Sequence, residues 1–413
     1  MDYRVIIILA LEAAFALWLL WKIRLLRSAR ALIVCVLLLA LAFCSRAAVL
    51  DYVTLDYRDF LARWVDYFRQ NGGFAALSRQ IGNYNIPYLY FLALFSYSSI
   101  NDLYLIKLLS IFFDVLLAWA CALLLGRFTQ SPARRIGVFF TALMLPTVFL
   151  NGALWAQCDS VYVSLALLGV YCALDDRPVL AMVLAALSFG FKLQAVFILP
   201  VFAVLWFYGK LDWKHFLVFP AAYVALVLPA VLLGRPFIET LTLYLDQTGS
   251  IGSGLNYNSP SVYSFFQYTL PESYNALAST LGIAAAVVFM GLVLLLCLVF
   301  RERLNERAIL GAAALLALGI PFLLPHMHER YFFAADIIFL LLAFAAPEYS
   351  AGALLVQFAS LLGYYAYLKM RFLLTMDHGA AALVLALIMA AVFFSVSLFK
   401  PQKNIFENCE NSY

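Results

Sequence analysis

The stretch Val5-Ile-Ile-Ile-Leu-Ala-Leu-Glu12-Ala-Ala-Phe-Ala-Leu-Trp-Leu-Leu-Trp21, followed by Lys22, Arg24, Arg27 and Arg30, decides the fold class. It is close to the about 20 apolar residues that a membrane-spanning helix needs. Its positive charge follows the apolar run, whereas a signal peptide carries its charge before it. The reading is therefore a retained span with its basic end in the cytoplasm and Met1 outside. Runs of this kind recur along the 413 residues. The chain is 66% hydrophobic and 12% charged, with a mean hydropathy of +0.94. Soluble domains average about 45–50% apolar and about 25% charged residues. A soluble enzyme, a disordered chain and a disulfide scaffold are excluded, and an all-α polytopic membrane bundle remains.

Working outward, apolar runs fall near 4–21, 31–50, 103–126, 136–150, 160–174, 179–191, 195–208, 215–233, 276–300, 308–324, 331–346, 351–369 and 379–399. They predict about thirteen spans, the shortest covered by neighbours. With the N-terminus outside, the odd-numbered turns are cytoplasmic. They hold Lys22/Arg24/Arg27/Arg30, Arg127/Arg134/Arg135, Arg177, Lys210/Lys214, Arg301/Arg303/Arg307 and Lys400/Lys403, about fifteen of the 27 Lys and Arg. This is the positive-inside pattern. The run 86–97 is too short to cross, and counting it would invert every later turn. It is expected to lie at the outer surface or to form a bent lead-in to the next span.

The formal net charge is +4 and the seven cysteines show no metal-ligand spacing; most lie in apolar runs. Heptads, low-complexity tracts and internal repeats are not evident. One transmembrane domain over 1–413 is expected, with an extra N-terminal span (1–30), a long outer loop (51–102) carrying interfacial helices, and a cytoplasmic tail (400–413).

The remaining charge gathers in the outer turns. The first begins Asp51-Tyr-Val-Thr-Leu-Asp56-Tyr57-Arg58-Asp59-Phe60. A carboxylate beside the membrane serves as a general base for a hydroxyl, as a metal ligand, or as part of a solvated loop. Helical patterning is expected over 60–78, with Asp66 and Arg69 as an i,i+3 surface pair and Gly72-Gly73 ending the helix over 60–70. The stretch Gly82-Asn83-Tyr84-Asn85-Ile86-Pro87-Tyr88 reads as an interfacial aromatic belt or as the wall of a sugar cleft. Asn151-Gly-Ala-Leu-Trp155-Ala-Gln157-Cys-Asp159-Ser160 puts a carboxylate at a helix N-terminus, which lowers the cost of its charge. In Phe191-Lys192-Leu193-Gln194 the lysine either snorkels or anchors a phosphate.

The densest cluster is Pro325-His326-Met327-His328-Glu329-Arg330-Tyr331, with two of the chain's four histidines. Its spacing is not that of a helical zinc motif. An Arg beside two His suits a phosphate or pyrophosphate through charge-assisted hydrogen bonds, and a capped turn is the alternative. Lys107 and Asp114 lie on one face of a span, where charges are costly and normally paired or cavity-lining. Glu12 is expected to face a neighbouring helix.

Taken together, Asp56-Tyr57-x-x-Phe60-Leu61-x-x-Trp64, Gly72-Gly73-Phe74, Asn83-Tyr84-Asn85-x-Pro87-Tyr88, Trp155-x-Gln157-x-Asp159-Ser160, Phe191-Lys192-x-Gln194 and His326-x-His328-Glu329-Arg330-Tyr331 resemble the bacterial GT-C glycosyltransferases. Within that class the chain is most similar to relatives of the second mannosyltransferase of glycosylphosphatidylinositol synthesis. More distantly it resembles the dolichol-pathway glucosyltransferases. The resemblance spans about residues 50–335. It departs from the family pattern at Arg63 and Ile86, where prolines are usual.

The resemblance implies an inverting hexosyltransferase, mannose-like in preference, using a polyprenyl- or dolichyl-phosphate donor and a hydroxyl of a lipid-linked or cell-surface glycan. Asp56 would be the general base, and Lys192, His328 and Arg330 would hold the donor phosphate. Asp59, Asp159, Gln194 and Glu329 would shape the site, and Tyr84, Asn85, Tyr88 and Trp155 would line the sugar or acceptor cleft. No cofactor is firmly implied, though a divalent metal is compatible, and no nucleic acid partner is expected. The expected location is a bacterial cytoplasmic membrane with the site on its outer face. The competing reading is a transporter or lipid flippase, which should place polar groups near the midplane; Lys107 and Asp114 are its main support.

Overall fold

The computed structural model describes residues 2–249, 254–266 and 271–399. Lys400, Lys403 and the expected tail, like the placement of Met1, lie outside the described residues. The chain is an all-α bundle. Its helices are α1 (Tyr3–Lys22), α2 (Ala29–Ala47), α3 (Ala62–Gln70), α4 (Ile86–Phe95), α5 (Asp102–Leu125), α6 (Pro132–Met144), α7 (Pro146–Phe149), α8 (Asp159–Leu174) and α9 (Pro178–Phe191). They continue with α10 (Val201–Phe207), α11 (Val218–Leu232), α12 (Phe237–Gly249), α13 (Asn275–Val299), α14 (Glu306–Leu323), α15 (Phe333–Ala345), α16 (Ser350–Lys369) and α17 (Met376–Phe399). The caps are the ones the sequence dictates. Ser28 Oγ accepts from Ala31 N–H and Asn305 Oδ1 from Ala308 N–H. Pro87, Pro132, Pro146 and Pro178 open helices, where a missing N–H costs nothing.

Eight helices among the described residues are long and apolar enough to cross a membrane: α1, α2, α5, α11, α13, α14, α16 and α17, three of them extended by a 3-10 turn. A ninth is the pair α6–α7, whose axis bends by 44°. Pro146 causes the bend, because it removes a helical N–H and drives Leu145 to an extended backbone. Four shorter apolar helical stretches, α8, α9, Leu193–Phe207 and α15, account for the other expected runs. The short helices are packed inside: nearly every residue of α8 and most of α15 are buried.

The bonds between turns sort them into two ends. At one end Arg127 pairs with Glu306, Lys210 with Asp176, and Arg307 with Glu348, while Asn305 Nδ2 donates to Ser397 O. Each of the three ion pairs joins two odd-numbered turns of the threading, and Ser397 lies near the end of the last helix. At the other end Asp56 meets Trp155, Asp159 meets Lys192 and Arg330, and residues 256–257 pair with 327–328 in a two-residue parallel bridge. Each of these joins two even-numbered turns. Such a division by parity is what the threading of the apolar runs leads one to expect.

In the segment 51–102, Leu61, Trp64, Val65, Phe68, Leu77, Tyr88, Leu89 and Leu92 pack into a second apolar core shared with Phe113, Val161, Phe191 and Tyr223 of the bundle. A π-turn (Tyr57–Leu61) runs into α3. The helix ends at Asn71, and Gly72 takes φ +84°, a left-handed conformation available to glycine at little cost. The patterned stretch over 60–78 is therefore a helix and a 3-10 turn separated by this break. Asp66 pairs with Arg69, which also reaches Asp102. At ten residues α4 is about 15 Å long. It is held between α3, α9 and α11 rather than lying on a surface.

The charges inside the bundle are braces. Lys107 Nζ donates to the carbonyls of Val49, Leu50 and Tyr52 at 3.1, 2.8 and 2.7 Å, capping the chain beyond α2. Asp114 instead takes Arg46 Nη2 at 3.0 Å and Ser160 Oγ at 2.5 Å. Lys107 and Asp114 thus answer to different partners. Glu12 faces inward and is buried, with no hydrogen-bond partner for Oε2 among the described residues.

Candidate active site

Asp56 stands at the start of the π-turn, half-buried in the wall of a cleft of about 440 Å³. Three side chains hold its carboxylate. Oδ2 accepts from Trp155 Nε1 at 2.9 Å and from Gln157 Nε2 at 2.7 Å. Oδ1 accepts from the Tyr367 hydroxyl at 2.7 Å. Thr54 ties the same two turns together by donating to Trp155 O at 2.9 Å. The amide of Gln157 is oriented from its far side, where Tyr84 OH donates to Oε1 at 3.1 Å. Burial holds the Tyr84 phenol well above its ordinary pKa, so it remains a donor.

A second charged group reaches the same cleft through Arg330. Lys192 Nζ is 2.5 Å from Asp159 Oδ1, and Arg330 Nε is 3.7 Å from Asp159 Oδ2. Asn151 Nδ2 donates to Asp159 Oδ2 at 2.7 Å, and its Oδ1 accepts Asp159 N–H. Asp159 is therefore more than a helix cap: it is the counter-ion of two cations at the N-terminus of α8. Lys192 does not snorkel; it is buried in the break between α9 and the 3-10 turn that follows. Arg330 also donates to Glu329 Oε1 at 3.1 Å. Lys192, Gln194, Asn83, Asn85, Tyr244 and Arg330 line a smaller polar recess of about 110 Å³, which shares Asn83, Tyr84, Arg330 and Tyr331 with the large cleft.

The other expected residues divide by position. Tyr84, His328 and Glu329 line the large cleft with Asp56 and Arg330. His328 lies flat on Tyr257, ring centroids 4.8 Å apart, with Nδ1 3.7 Å from Glu329 Oε2. Gln194 lines the recess with Tyr331. Tyr88 is buried behind Tyr84, stacked at 4.6 Å. Asn85 lines the recess while capping α4 and donating to Tyr223 OH. Trp155 is fully buried and meets the site through its N–H rather than as an exposed wall. Asp59 pairs with Arg58, which holds its carboxyl below the usual range, and does not line the cleft. His326 also stays out, bonded to Gly254 O and Ser279 Oγ.

Three contributors were not singled out by the sequence reading. Tyr367 and Tyr364 sit on α16, beyond the motif-bearing region. Tyr367 stacks on Trp155 with centroids 4.1 Å apart, while Tyr364 meets it edge-on and accepts from Asn151. Asn151 is the third. The spacing Tyr364-x-x-Tyr367 on an otherwise apolar helix was the available signal.

A divalent metal does not suit these side chains. The charge of Asp159 is met by two cations, and Asp56 Oδ2 is filled by two N–H donors. Among the described residues no three His, Cys, Asp or Glu form a metal-binding group.

What the arrangement offers chemically is an oriented carboxylate and Arg330 lining one cleft, with Lys192 in the adjoining recess. No curated protein matches the chain. Residues 91–208 match the family model described as alpha-(1->6)-mannopyranosyltransferase, N-terminal domain. The matched span carries Trp155, Gln157, Asp159 and Lys192 and excludes Asp56 and Arg330, and it supports a mannosyltransferase-like glycosyltransferase embedded in a membrane.

Proposed function

We propose that the protein is an inverting glycosyltransferase that moves a mannose-like hexose from a polyprenyl-phosphate donor to a hydroxyl of a lipid-linked or cell-surface glycan. The observation that carries this reading is the convergence of Asp56, Lys192 and Arg330 on one cleft and its recess. The acceptor hydroxyl attacks the anomeric carbon, its proton passes to Asp56, and the bond from that carbon to the phosphate oxygen breaks with its electron pair. Lys192 and Arg330 meet the charge that grows on the departing phosphate. Arg330 lines the cleft with Asp56, and its Nε, 3.7 Å from Asp159 Oδ2, makes no hydrogen bond among the described residues. His328, at the same rim, adds a further donor.

Inversion is favoured because, among the described residues lining the cleft, Asp56 is the carboxylate not tied to a cation. Asp159 and Glu329 are both engaged by Arg330 or Lys192, which leaves neither as a second-displacement nucleophile. The basic turns at the opposite end favour a site on the outer face, with the N-terminus out. The transporter reading rested on Lys107 and Asp114, and both act as braces. The test is transfer by purified protein from a panel of radiolabelled polyprenyl-phosphate sugars, with and without chelator. Transfer from a mannosyl donor is expected. Absence of transfer from every donor, alongside solute flux in liposomes, would overturn the reading.

A further inference from the structure

A carboxylate has about four lone-pair sites over its two oxygens. At Asp56 both sites of Oδ2 are taken, by Trp155 Nε1 and Gln157 Nε2. On Oδ1 one is taken among the described residues, by the Tyr367 hydroxyl. That hydroxyl is itself fixed in direction, because its oxygen accepts the Asp56 backbone N–H at 3.2 Å. The ring is fixed too, stacked on Trp155 at 14° between planes. Tyr367 and Asp56 both line the cleft, whereas Trp155 lies behind it.

We propose that Tyr367 is the positioning residue of the base: it directs Asp56 so that one lone pair of Oδ1 faces the cleft, and the acceptor hydroxyl binds and yields its proton there. This rests on Asp56 as the general base. Tyr367 does not exchange a proton with substrate. It restricts the carboxylate to one orientation by donating to Oδ1. The arrangement also ties α16 to the first long turn, so the base is held by segments 311 residues apart in the chain.

The experiment is the pH dependence of kcat/KM for the full chain, with polyprenyl-phosphate mannose as donor and a synthetic α-mannoside as acceptor. Tyr367→Phe keeps the ring stacked on Trp155 and removes only the hydroxyl. The expected result is a fall in kcat of about tenfold at neutral pH, KM for the donor nearly unchanged, and an acid limb displaced upward from that of wild type. A role in packing alone would not move the limb. Placing 3-fluorotyrosine at 367 strengthens the same bond and should move the limb down, a measurement that stands even where Tyr367→Phe folds poorly. Tyr365→Phe, one residue along α16 and bonded to Arg371 instead, should leave the limb in place. Limbs of both position-367 variants coinciding with wild type, in an enzyme that Asp56→Asn inactivates, would overturn the proposal while leaving the base assignment intact. Turnover retained in Asp56→Asn would overturn both.

Discussion

Lys192 Nζ lies 2.5 Å from Asp159 Oδ1 with both side chains almost wholly buried, so neither charge is readable without the other. Breaking a buried pair by removing one partner costs about 3–5 kcal/mol, because the survivor keeps its desolvation penalty. Lys192→Met should therefore lower the thermal midpoint of the purified protein and abolish transfer. The double variant Lys192→Met/Asp159→Asn removes both charges and should recover most of the lost stability without recovering transfer. Recovery of both would make Lys192 a structural counter-ion and remove it from donor binding.

Asp56→Asn keeps the size of the side chain but ends its ability to take a proton. Transfer should fall by at least the about 10²–10⁴-fold that general-base loss commonly costs. Folding and donor binding should persist, since Lys192 and Arg330 are untouched. Transfer measured beside donor binding checks this. Near-normal turnover would refute the assignment of the base.

How much of this was legible beforehand follows from what kind of signal each residue leaves. Asp56, Asp159, Lys192 and Arg330 are charges flanking apolar runs, and a charge beside a membrane span stands out against its surroundings. Tyr367 left no such mark, because a tyrosine near a helix end reads equally well as interfacial belt. Its role depends on α16 packing near α7 and the turn that follows, a long-range contact no local pattern encodes. Trp155 shows the converse. An outer-turn tryptophan suggests a sugar platform, yet the rings of Tyr364 and Tyr367 cover it, and its useful atom is Nε1. The thirteen runs were visible as hydropathy, whereas the buried packing that lets α8 and α15 remain short was not.

Gly82 has φ +63°, and a Cβ there would come within 2.2 Å of the Trp64 ring. Trp64 in turn lines the cleft and meets Tyr84 edge-on at 5.6 Å. Gly82→Ala is expected to push Trp64 aside and disturb Tyr84, and through it the Gln157 amide that faces Asp56. Kinetics should show KM and kcat worsening together, with a modest loss of thermal stability. An unchanged KM would mean that the Trp64–Tyr84 wall does not contact substrate.

Arg46 and Asp114 are both fully buried, 3.0 Å apart, and Asp114 also receives Ser160 Oγ beside Asp159. A transporter would use such a pair to move charge, and neutralising it would alter flux while the protein stayed folded. A brace behaves differently. Asp114→Asn strands the Arg46 guanidinium in the bundle, though Leu143 O still accepts from its Nη2 at 2.6 Å. The loss should be about 3–5 kcal/mol of stability. It should be seen as a lower midpoint and reduced yield in detergent, and Arg46→Met/Asp114→Asn should restore much of it. Transfer in the restored double variant should return to near the wild-type level, since neither residue lines the cleft. A double variant that is stable yet inactive would mean that Asp114 acts on the site through Ser160 and the start of α8.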